Sequence, residues 1–118
     1  NNEYLKDVFK AADLIGSTLF RPPYGRIKPS LIRPVSARLH IIMWSVLSGD
    51  FDPGISPEKC LNNMLRHTTD GSVVVMHDTE KAADRMLYAL PRFLEHFSEK
   101  GYSFHPLTSA LLKSPNPL

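Results

Sequence analysis

Helix-like and strand-like segments alternate along this chain, and this alternation limits the folds that it can adopt. Apolar residues recur at three- and four-residue spacing from Leu5 to Ile15, which predicts one face of an amphipathic helix that Gly16 ends. The segment from Leu39 to Val46 is almost continuously apolar and β-branched, as a strand buried on both faces is. The predicted order over the whole chain is α-β-α-β-α-β-α-β. This alternation predicts a parallel sheet covered by helices.

The other predicted elements have recognisable starts and stops. A strand from Thr18 must end at Pro22-Pro23, because proline removes the backbone donor that a ladder needs. Ser56-Pro57-Glu58 supplies an N-cap, a proline at the first helical position and an acid in the first turn. The remaining expected elements are a helix over Pro29–Arg38 that Pro34 weakens, a strand over Ser72–Met76, a long helix that Pro91 should kink or split and Gly101 should end, and a strand over Tyr102–Leu107.

The size of the chain limits the architecture. A complete (β/α) barrel usually needs roughly 200 residues or more, whereas this chain has 118 and about four predicted strands. We therefore expect one domain at most, over residues 1–118, built as a partial barrel or a small open α/β sheet. With 42% hydrophobic and 22% charged residues, the composition is typical of a globular domain.

Composition also excludes several classes of function. No apolar run approaches the ~20 residues of a membrane helix, so no transmembrane segment is expected. The net charge is +2 and the basic residues are scattered, so nucleic acid is not expected as a partner. A single cysteine, Cys60, excludes an internal disulfide and a cysteine-based zinc site, and its helical position predicts a small buried thiol.

Three polar clusters carry the candidate chemistry. They are Arg21-Pro22-Pro23-Tyr24-Gly25, then Asp50 with Asp52, then His77-Asp78. Each cluster follows the carboxyl end of a predicted strand, and in parallel α/β folds this end of the sheet holds the active site.

A purely structural interpretation of the same clusters is also open. Gly25 could supply a positive φ in a rigid turn, and both aspartates could bond their own backbone. Asp78-Thr79 is expected to cap the following helix.

Jointly, the clusters resemble three motifs of the polysaccharide deacetylases of carbohydrate esterase family 4, also called NodB-like. The segment from Arg21 to Gly25 resembles the third motif, Trp44 with Asp50-Phe51 resembles the fourth, and Val73–Asp78 resembles the fifth. Order and spacing agree over essentially the whole chain. Phe51 stands where the family often has Trp, and Val75 where it often has Leu; both are exchanges between apolar residues. The resemblance implies the C-terminal half of a NodB-type (β/α) barrel, without its N-terminal half.

The resemblance also implies an activity, namely a hydrolase that removes acetyl groups from N- or O-acetylated sugars of a polysaccharide by metal-activated water. His77 would be the general acid that protonates the leaving amine, and Asp50 would pair with it and keep its charged form populated. Arg21 would hold the carboxylate of the catalytic base, and the backbone N–H of Tyr24 would stabilise the tetrahedral oxyanion. The implied substrate-binding residues are Pro22, Pro23, Phe51 and Trp44, although core packing is the favoured interpretation for Trp44.

Two motifs of the family have no counterpart in this chain. There is no Asp-Asp pair, and the five histidines are never four residues apart. In the family these motifs provide the base and the metal ligands. The resemblance therefore implies a divalent metal, expected to be zinc, for the parent enzyme, with no metal-binding residue in this chain. Without the base, which is worth on the order of 10²- to 10⁴-fold in rate, we expect the isolated chain to be inactive.

The resemblance has consequences for partners and location. It implies a polysaccharide substrate, similar to peptidoglycan or chitin, and a bacterial protein of the cell envelope or extracytoplasmic space. A half barrel would expose unpaired sheet edges, so we also expect self-association into a homo-oligomer.

Two other functions remain open at this point. One is a non-catalytic carbohydrate-binding or interaction module derived from a deacetylase. The other is a serine hydrolase that uses Ser45, Ser48 or Ser72 with His77, although the chain has no Gly-x-Ser-x-Gly elbow.

Overall fold

The α/β class is confirmed by the structure, a computed structural model that describes residues 2–112, apart from the side chains of residues 109 and 110. The helices are α1 (Asn2–Ile15), α2 (Pro29–Ser36), α3 (Pro57–His67), α4 (Ala83–Glu99) and α5 (Ser109–Leu112), with a 3₁₀ turn at Pro23–Gly25. The strands are β1 (Leu19–Phe20), β2 (His40–Ile41), β3 (Val46–Leu47) and β4 (Val74–Val75).

The chain divides into two compact units, and the described part of the first comprises residues 2–43 with 108–112. In this unit β1 and β2 pair in parallel, with Leu19 opposite His40 and Phe20 opposite Ile41. The predicted apolar face of α1 packs against α2 in a small core of Val8, Ala12, Val35 and Leu39.

The described part of the second unit comprises residues 44–107. Its strands β3 and β4 also pair in parallel, with Val46 opposite Val74. The side chain of Ser45 reinforces this pairing, because its Oγ accepts from the Val73 N–H at 2.9 Å and lies 3.4 Å from the Val73 carbonyl oxygen. Helices α3 and α4 enclose a core of Cys60, Met64, Ala89, Phe93 and Phe97.

Several predicted helix ends are confirmed. The Ser56 Oγ accepts the N–H of Lys59 at 3.1 Å and caps α3. Gly16 and Gly101 follow α1 and α4 with φ of 71° and 88°, conformations that glycine adopts without steric cost. The cap expected at Asp78-Thr79 is only partly right. Thr79 Oγ1 accepts the Ala82 N–H at 3.3 Å, but α4 begins at Ala83.

One predicted strand is only partly right and another is wrong. The segment Leu39–Val46 contains β2 and the start of β3, with no strand at residues 42–45. Its pairing with β1 ends when the Ile42 N–H donates to the Phe20 carbonyl, because Pro22 has no N–H to continue the ladder. The segment Tyr102–Leu107 forms no strand and has no strand partner among the described residues.

Pro91 does not split α4, which runs unbroken from Ala83 to Glu99. Pro91 and Leu87 are both exposed, so the Leu87 carbonyl that loses its helical partner can be hydrated. Pro34 likewise lies inside α2.

The partial barrel expected from the sequence is not confirmed. Residues 2–112 do contain four strands in parallel pairs, but these strands form two separate two-stranded sheets. In the same residues, no helix is both long and apolar enough to cross a membrane.

Candidate active site

The loop after β3 places Asp50 in the interior of the second unit. Gly49 has φ of 82°, a conformation that favours glycine, and a Cβ there would also lie 2.9 Å from Ile55 Cδ1. Asp50 itself is 0% exposed, and its N–H donates to the Ser48 Oγ at 3.2 Å. A buried carboxylate needs partners, since burial of an unpaired charge is costly.

Those partners come from His77, two residues beyond β4. Asp50 Oδ2 accepts the His77 backbone N–H at 2.6 Å, and Asp50 Oδ1 lies 2.8 Å from the ring Nδ1. Because an ionised carboxylate only accepts hydrogen bonds, this contact assigns the hydrogen to Nδ1. The His77 side chain is 32% exposed whereas that of Asp50 is fully buried. The buried carboxylate therefore fixes the ring at Nδ1, and the other ring nitrogen, Nε2, is left for proton exchange.

The neighbours of the pair differ in what they contribute. The Phe51 ring meets the His77 ring edge-on, with centroids 5.5 Å apart, and Phe51 is 40% exposed. Asp52 is engaged locally, because its Oδ1 accepts the Gly54 N–H at 2.8 Å. The turn interpretation is thus right for Asp52 and wrong for Asp50, whose carboxylate binds His77.

The placement expected for Trp44 is also corrected. Trp44 lies outside every strand of the described chain and is partly exposed, so it is not part of a strand buried on both faces. Its proposed role in substrate binding stays a prediction.

The cluster from Arg21 to Gly25 lies in the first unit, directly after β1. Arg21 and Pro23 are exposed, whereas Pro22 is fully buried. Gly25 has the positive φ expected for it, 67°, but Tyr24 also has a positive φ, 57°. This backbone conformation costs a non-glycine residue roughly 1–2 kcal/mol. The Tyr24 side chain is 92% exposed. The turn therefore holds the backbone of Tyr24 in a strained conformation. The N–H of this residue is the one that the family resemblance implies as a donor to the oxyanion.

Sequence reasoning missed Arg85, in the first turn of α4. This arginine is only 8% exposed, and its Nε donates to the Asp50 carbonyl at 2.8 Å. The sequence marks Arg85 only as a cation at a helix N-terminus, where the helix dipole disfavours positive charge.

Cys60 is confirmed as a buried thiol beside the site. Burial raises the pKa of the Cys60 thiol, and the negative charge of Asp50 raises it further. The thiol therefore stays protonated at neutral pH, which disfavours nucleophilic chemistry at this position.

The three serines considered as nucleophiles are engaged with the backbone. Ser48 Oγ accepts the Asp50 N–H, Ser45 Oγ accepts the Val73 N–H, and Ser72 Oγ accepts the Thr69 N–H. The hydrogen bonds that the structure gives the His77 ring and backbone N–H go to Asp50. This geometry gives the serine hydrolase hypothesis no support.

The divalent metal implied by the family resemblance does not fit the residues that the structure describes. In residues 2–112, no three His, Cys, Asp or Glu side chains are grouped so that they could hold a metal ion. The pair of Asp50 and His77 provides two such groups, engaged with each other.

Comparisons with known proteins agree with the motifs, although no protein-family model matches the chain. A peptidoglycan-N-acetylglucosamine deacetylase from Bacillus cereus is 27% identical over 116 residues, which are 92% of this chain and 42% of that protein. A crystal structure of the Bc1960 peptidoglycan N-acetylglucosamine deacetylase superposes with a TM-score of 0.81 at 25% identity, over 91% of this chain and 54% of that one. A CE4 family pseudoenzyme from Bacillus anthracis superposes with a TM-score of 0.63 at 26% identity, over 72% of this chain and 29% of that one.

The chain thus spans about half, or less, of the length of each of these three proteins. The matches nevertheless cover most of the chain itself. Together with the motifs around Arg21, Asp50 and His77, they confirm its resemblance to the polysaccharide deacetylases of carbohydrate esterase family 4.

Proposed function

We propose that this chain is part of a hydrolase that removes acetyl groups from the amino sugars of a bacterial cell-wall polysaccharide, with His77 as the general acid. The observation that carries this proposal is the double contact between Asp50 and His77, at 2.6 Å to the backbone N–H and 2.8 Å to Nδ1. A ring oriented in this way can deliver a proton from Nε2 to the nitrogen of the departing amine. The substrate class is inferred from relatives named as peptidoglycan deacetylases, and we propose a location at the cell envelope on the same ground.

The exposed ring of Phe51 supports a role in substrate binding. It lies against His77 and offers an apolar face of the kind on which a sugar ring packs. Trp44, also partly exposed, is proposed for the same role. Pro23 is exposed and Pro22 is buried, so Pro22 would act by shaping the turn that presents Pro23.

Arg21 and Tyr24 are proposed to keep the roles that the family gives to their motif, with Arg21 holding the carboxylate of the base and the Tyr24 N–H stabilising the oxyanion. The strained conformation of Tyr24 supports its part of this proposal, because backbone strain is often retained where function needs it. No hydrogen-bond acceptor for the Tyr24 N–H outside its own turn is found in the described residues.

The base and the metal ligands are proposed to lie in another segment of the full-length protein, as part of the same NodB-type barrel. Metal-bound water would be the nucleophile of the family reaction. We expect the coding sequence upstream of Asn1 to contain an Asp-Asp strand end and a His-x-x-x-His segment. An open reading frame that starts at Asn1 would contradict this proposal, as would catalytic activity of the isolated chain.

The central experiment compares two histidine variants of the full-length protein. His77→Ala should lower the rate of acetate release from N-acetylated peptidoglycan by about 10²- to 10⁴-fold without lowering metal content. His67→Ala is the matched control, because the His67 Nδ1 is also hydrogen-bonded, in this case to the Asn63 carbonyl at 2.8 Å, but the ring is exposed at the end of α3. Loss of metal in His77→Ala would show that its role is ligation, and absence of acetate release by the wild type would refute the deacetylase proposal.

A non-catalytic carbohydrate-binding module is the second candidate, and the similarity to a CE4 family pseudoenzyme favours keeping it. It predicts that the full-length protein binds peptidoglycan fragments in the presence of a chelator and releases no acetate. Binding titrations with and without chelator, run beside the acetate assay, separate the two candidates.

Self-association through exposed strand edges is the remaining proposal for partners. The strands are only two residues long, so any added pairing would be short. Sedimentation of the isolated chain should show a species larger than the monomer, and a well-folded monomer would contradict the proposal.

A further inference from the structure

The backbone on both sides of Gly49 is held by side chains from the two helices of the second unit. From α3, the Asn63 amide donates to the Ser48 carbonyl at 3.2 Å. From α4, the Arg85 Nε donates to the Asp50 carbonyl at 2.8 Å. The loop that carries the Asp50 carboxylate is therefore fixed by groups distant in sequence, and Arg85 is the one that contacts Asp50 itself.

The position of Arg85 is unfavourable for a positive charge unless its guanidinium is hydrogen-bonded. It is 8% exposed and lies in the first turn of α4, at the positive end of the helix dipole. A buried guanidinium must satisfy its donors, and Nη2 of Arg85 also donates to the Lys81 carbonyl. One side chain thereby joins the segment that precedes α4 to the residue that orients His77.

The Arg85 contact goes to the main chain of Asp50, and this determines what it can do. The Asp50 carboxylate bonds the two nitrogens of His77, and Arg85 donates to the Asp50 backbone carbonyl instead. A guanidinium that holds the backbone carbonyl restrains the position of the Cα, and hence the direction of the carboxylate, rather than competing with His77 for the oxygens. Its Nε and Nη2 donors point in fixed directions from a planar group, a geometry that lysine cannot reproduce.

We propose that Arg85 is a positioning residue, which acts through Asp50 to keep the His77 ring in the geometry for proton transfer. The catalytic consequence rests on the function proposed above, whereas the effect on the Asp50–His77 pair does not. Loss of the Arg85 contact should let the carboxylate shift by a fraction of an ångström. Small misplacements of catalytic groups are costly, and a shift of about 1 Å can lower the rate about 10²-fold.

The test uses Arg85→Met and Arg85→Lys in the full-length protein, with Arg92→Met as the matched control. Arg92 lies two turns later in α4 and its Nη1 donates to the carbonyl of Tyr88, four residues earlier, just as Arg85 donates to Lys81. Arg92 is exposed, so its removal deletes the local contact of a helical arginine without touching the site.

The structural readout is independent of activity. In protein labelled with ¹⁵N-histidine, both Arg85 variants should shift and broaden the hydrogen-bonded Nδ1–H signal of His77. They should also speed exchange of the His77 amide hydrogen by about 10- to 100-fold, the factor that loss of one charge-assisted hydrogen bond represents. Arg92→Met should keep both signals. Wild-type signals in folded Arg85→Met would overturn the proposal, and full rescue by Arg85→Lys would show that charge, not geometry, is what matters.

The kinetic readout separates this inference from the proposed function. Arg85→Met should lower kcat with little change in KM, since a side chain that is only 8% exposed offers little surface to a substrate. If the wild type releases no acetate while Arg85→Met still changes the Nδ1–H signal and the amide exchange of His77, the deacetylase proposal fails and the positioning role stands. If acetate release is normal and Arg85→Met changes neither kcat nor the signals, Arg85 has no positioning role.

Discussion

Replacement of Asp50 by asparagine should reverse the tautomer of His77. Asparagine has almost the shape of aspartate, but one of its two terminal atoms donates instead of accepting. The His77 backbone N–H cannot move its hydrogen, so the remaining oxygen must take the position of Oδ2, which accepts that N–H at 2.6 Å. The amide NH₂ then stands where Oδ1 stood, 2.8 Å from Nδ1. The ring can satisfy it only by accepting at Nδ1 and carrying its hydrogen on Nε2.

The magnitudes follow from these two contacts. Both hydrogen bonds survive, but each changes from a bond to a charged group, worth about 1.5–3 kcal/mol, to a neutral one of about 1 kcal/mol. Removal of a fully buried charge offsets part of this loss, so Asp50→Asn should lower the free energy of unfolding by about 2 kcal/mol. The effect on catalysis should be larger. In the serine protease triad, the equivalent exchange traps the wrong tautomer and lowers kcat by about 10⁴-fold.

The assay is ¹⁵N spectroscopy of the histidine ring, with urea unfolding and acetate release on the same samples. Asp52→Asn is the control, because Asp52 is exposed and only accepts the Gly54 N–H, which asparagine can also do. That variant should differ from the wild type by less than about 0.5 kcal/mol. An Asp50→Asn protein whose Nδ1 keeps its hydrogen, or whose kcat equals that of the wild type, would refute the assigned geometry of the pair.

Four further predictions concern stability. Met64→Ala should lower the free energy of unfolding in urea by about 2–5 kcal/mol, because Met64 is fully buried between α3 and α4. The control Leu87→Ala, at an exposed site, should lower it much less. Ser56→Ala should cost about 1 kcal/mol, since it removes the cap of α3, and equal stability would contradict the capping bond. Tyr24→Gly should be about 1–2 kcal/mol more stable than Tyr24→Val, because a β-branched residue tolerates φ of 57° least. The pKa of Cys60 is raised above its ordinary value of 9.0, so the folded protein keeps the thiol proton to higher pH than the unfolded chain does. Stability should therefore fall as the pH rises above 9.0, and urea unfolding of Cys60→Ala should lack this fall.

Local signals made most of the helices predictable. The cap at Ser56, the stop at Gly16 and the apolar face of α1 as far as Ala12 depend on residues close together in the sequence, and each lies where the sequence predicts it. The strands were less predictable, because a strand exists only where a distant segment pairs with it. The apolar segment Leu39–Val46 could not reveal that its partners belong to two different sheets.

The candidate site shows the same division. Asp50 and His77 were predicted from motifs that a family resemblance supplies, and the structure adds the double contact between them. Arg85 was not predicted, because its contact with Asp50 joins residues 35 positions apart and no local pattern marks it. The Tyr102–Leu107 prediction was wrong for a related reason, since the Tyr102 ring packs edge-on against Phe97 at 4.8 Å and no strand lies beside it among residues 2–112.

The double contact of Asp50 has an evolutionary consequence. One oxygen of the carboxylate bonds the His77 ring, while the other accepts the main-chain N–H just after β4. A descendant that had lost its activity would still lose stability on replacing this aspartate. Selection for folding alone is therefore enough to preserve Asp50. Replacement of the His77 ring removes one partner of the buried carboxylate but leaves its bond to the backbone N–H of that position. Among inactive descendants, the histidine should be the first of the two to drift.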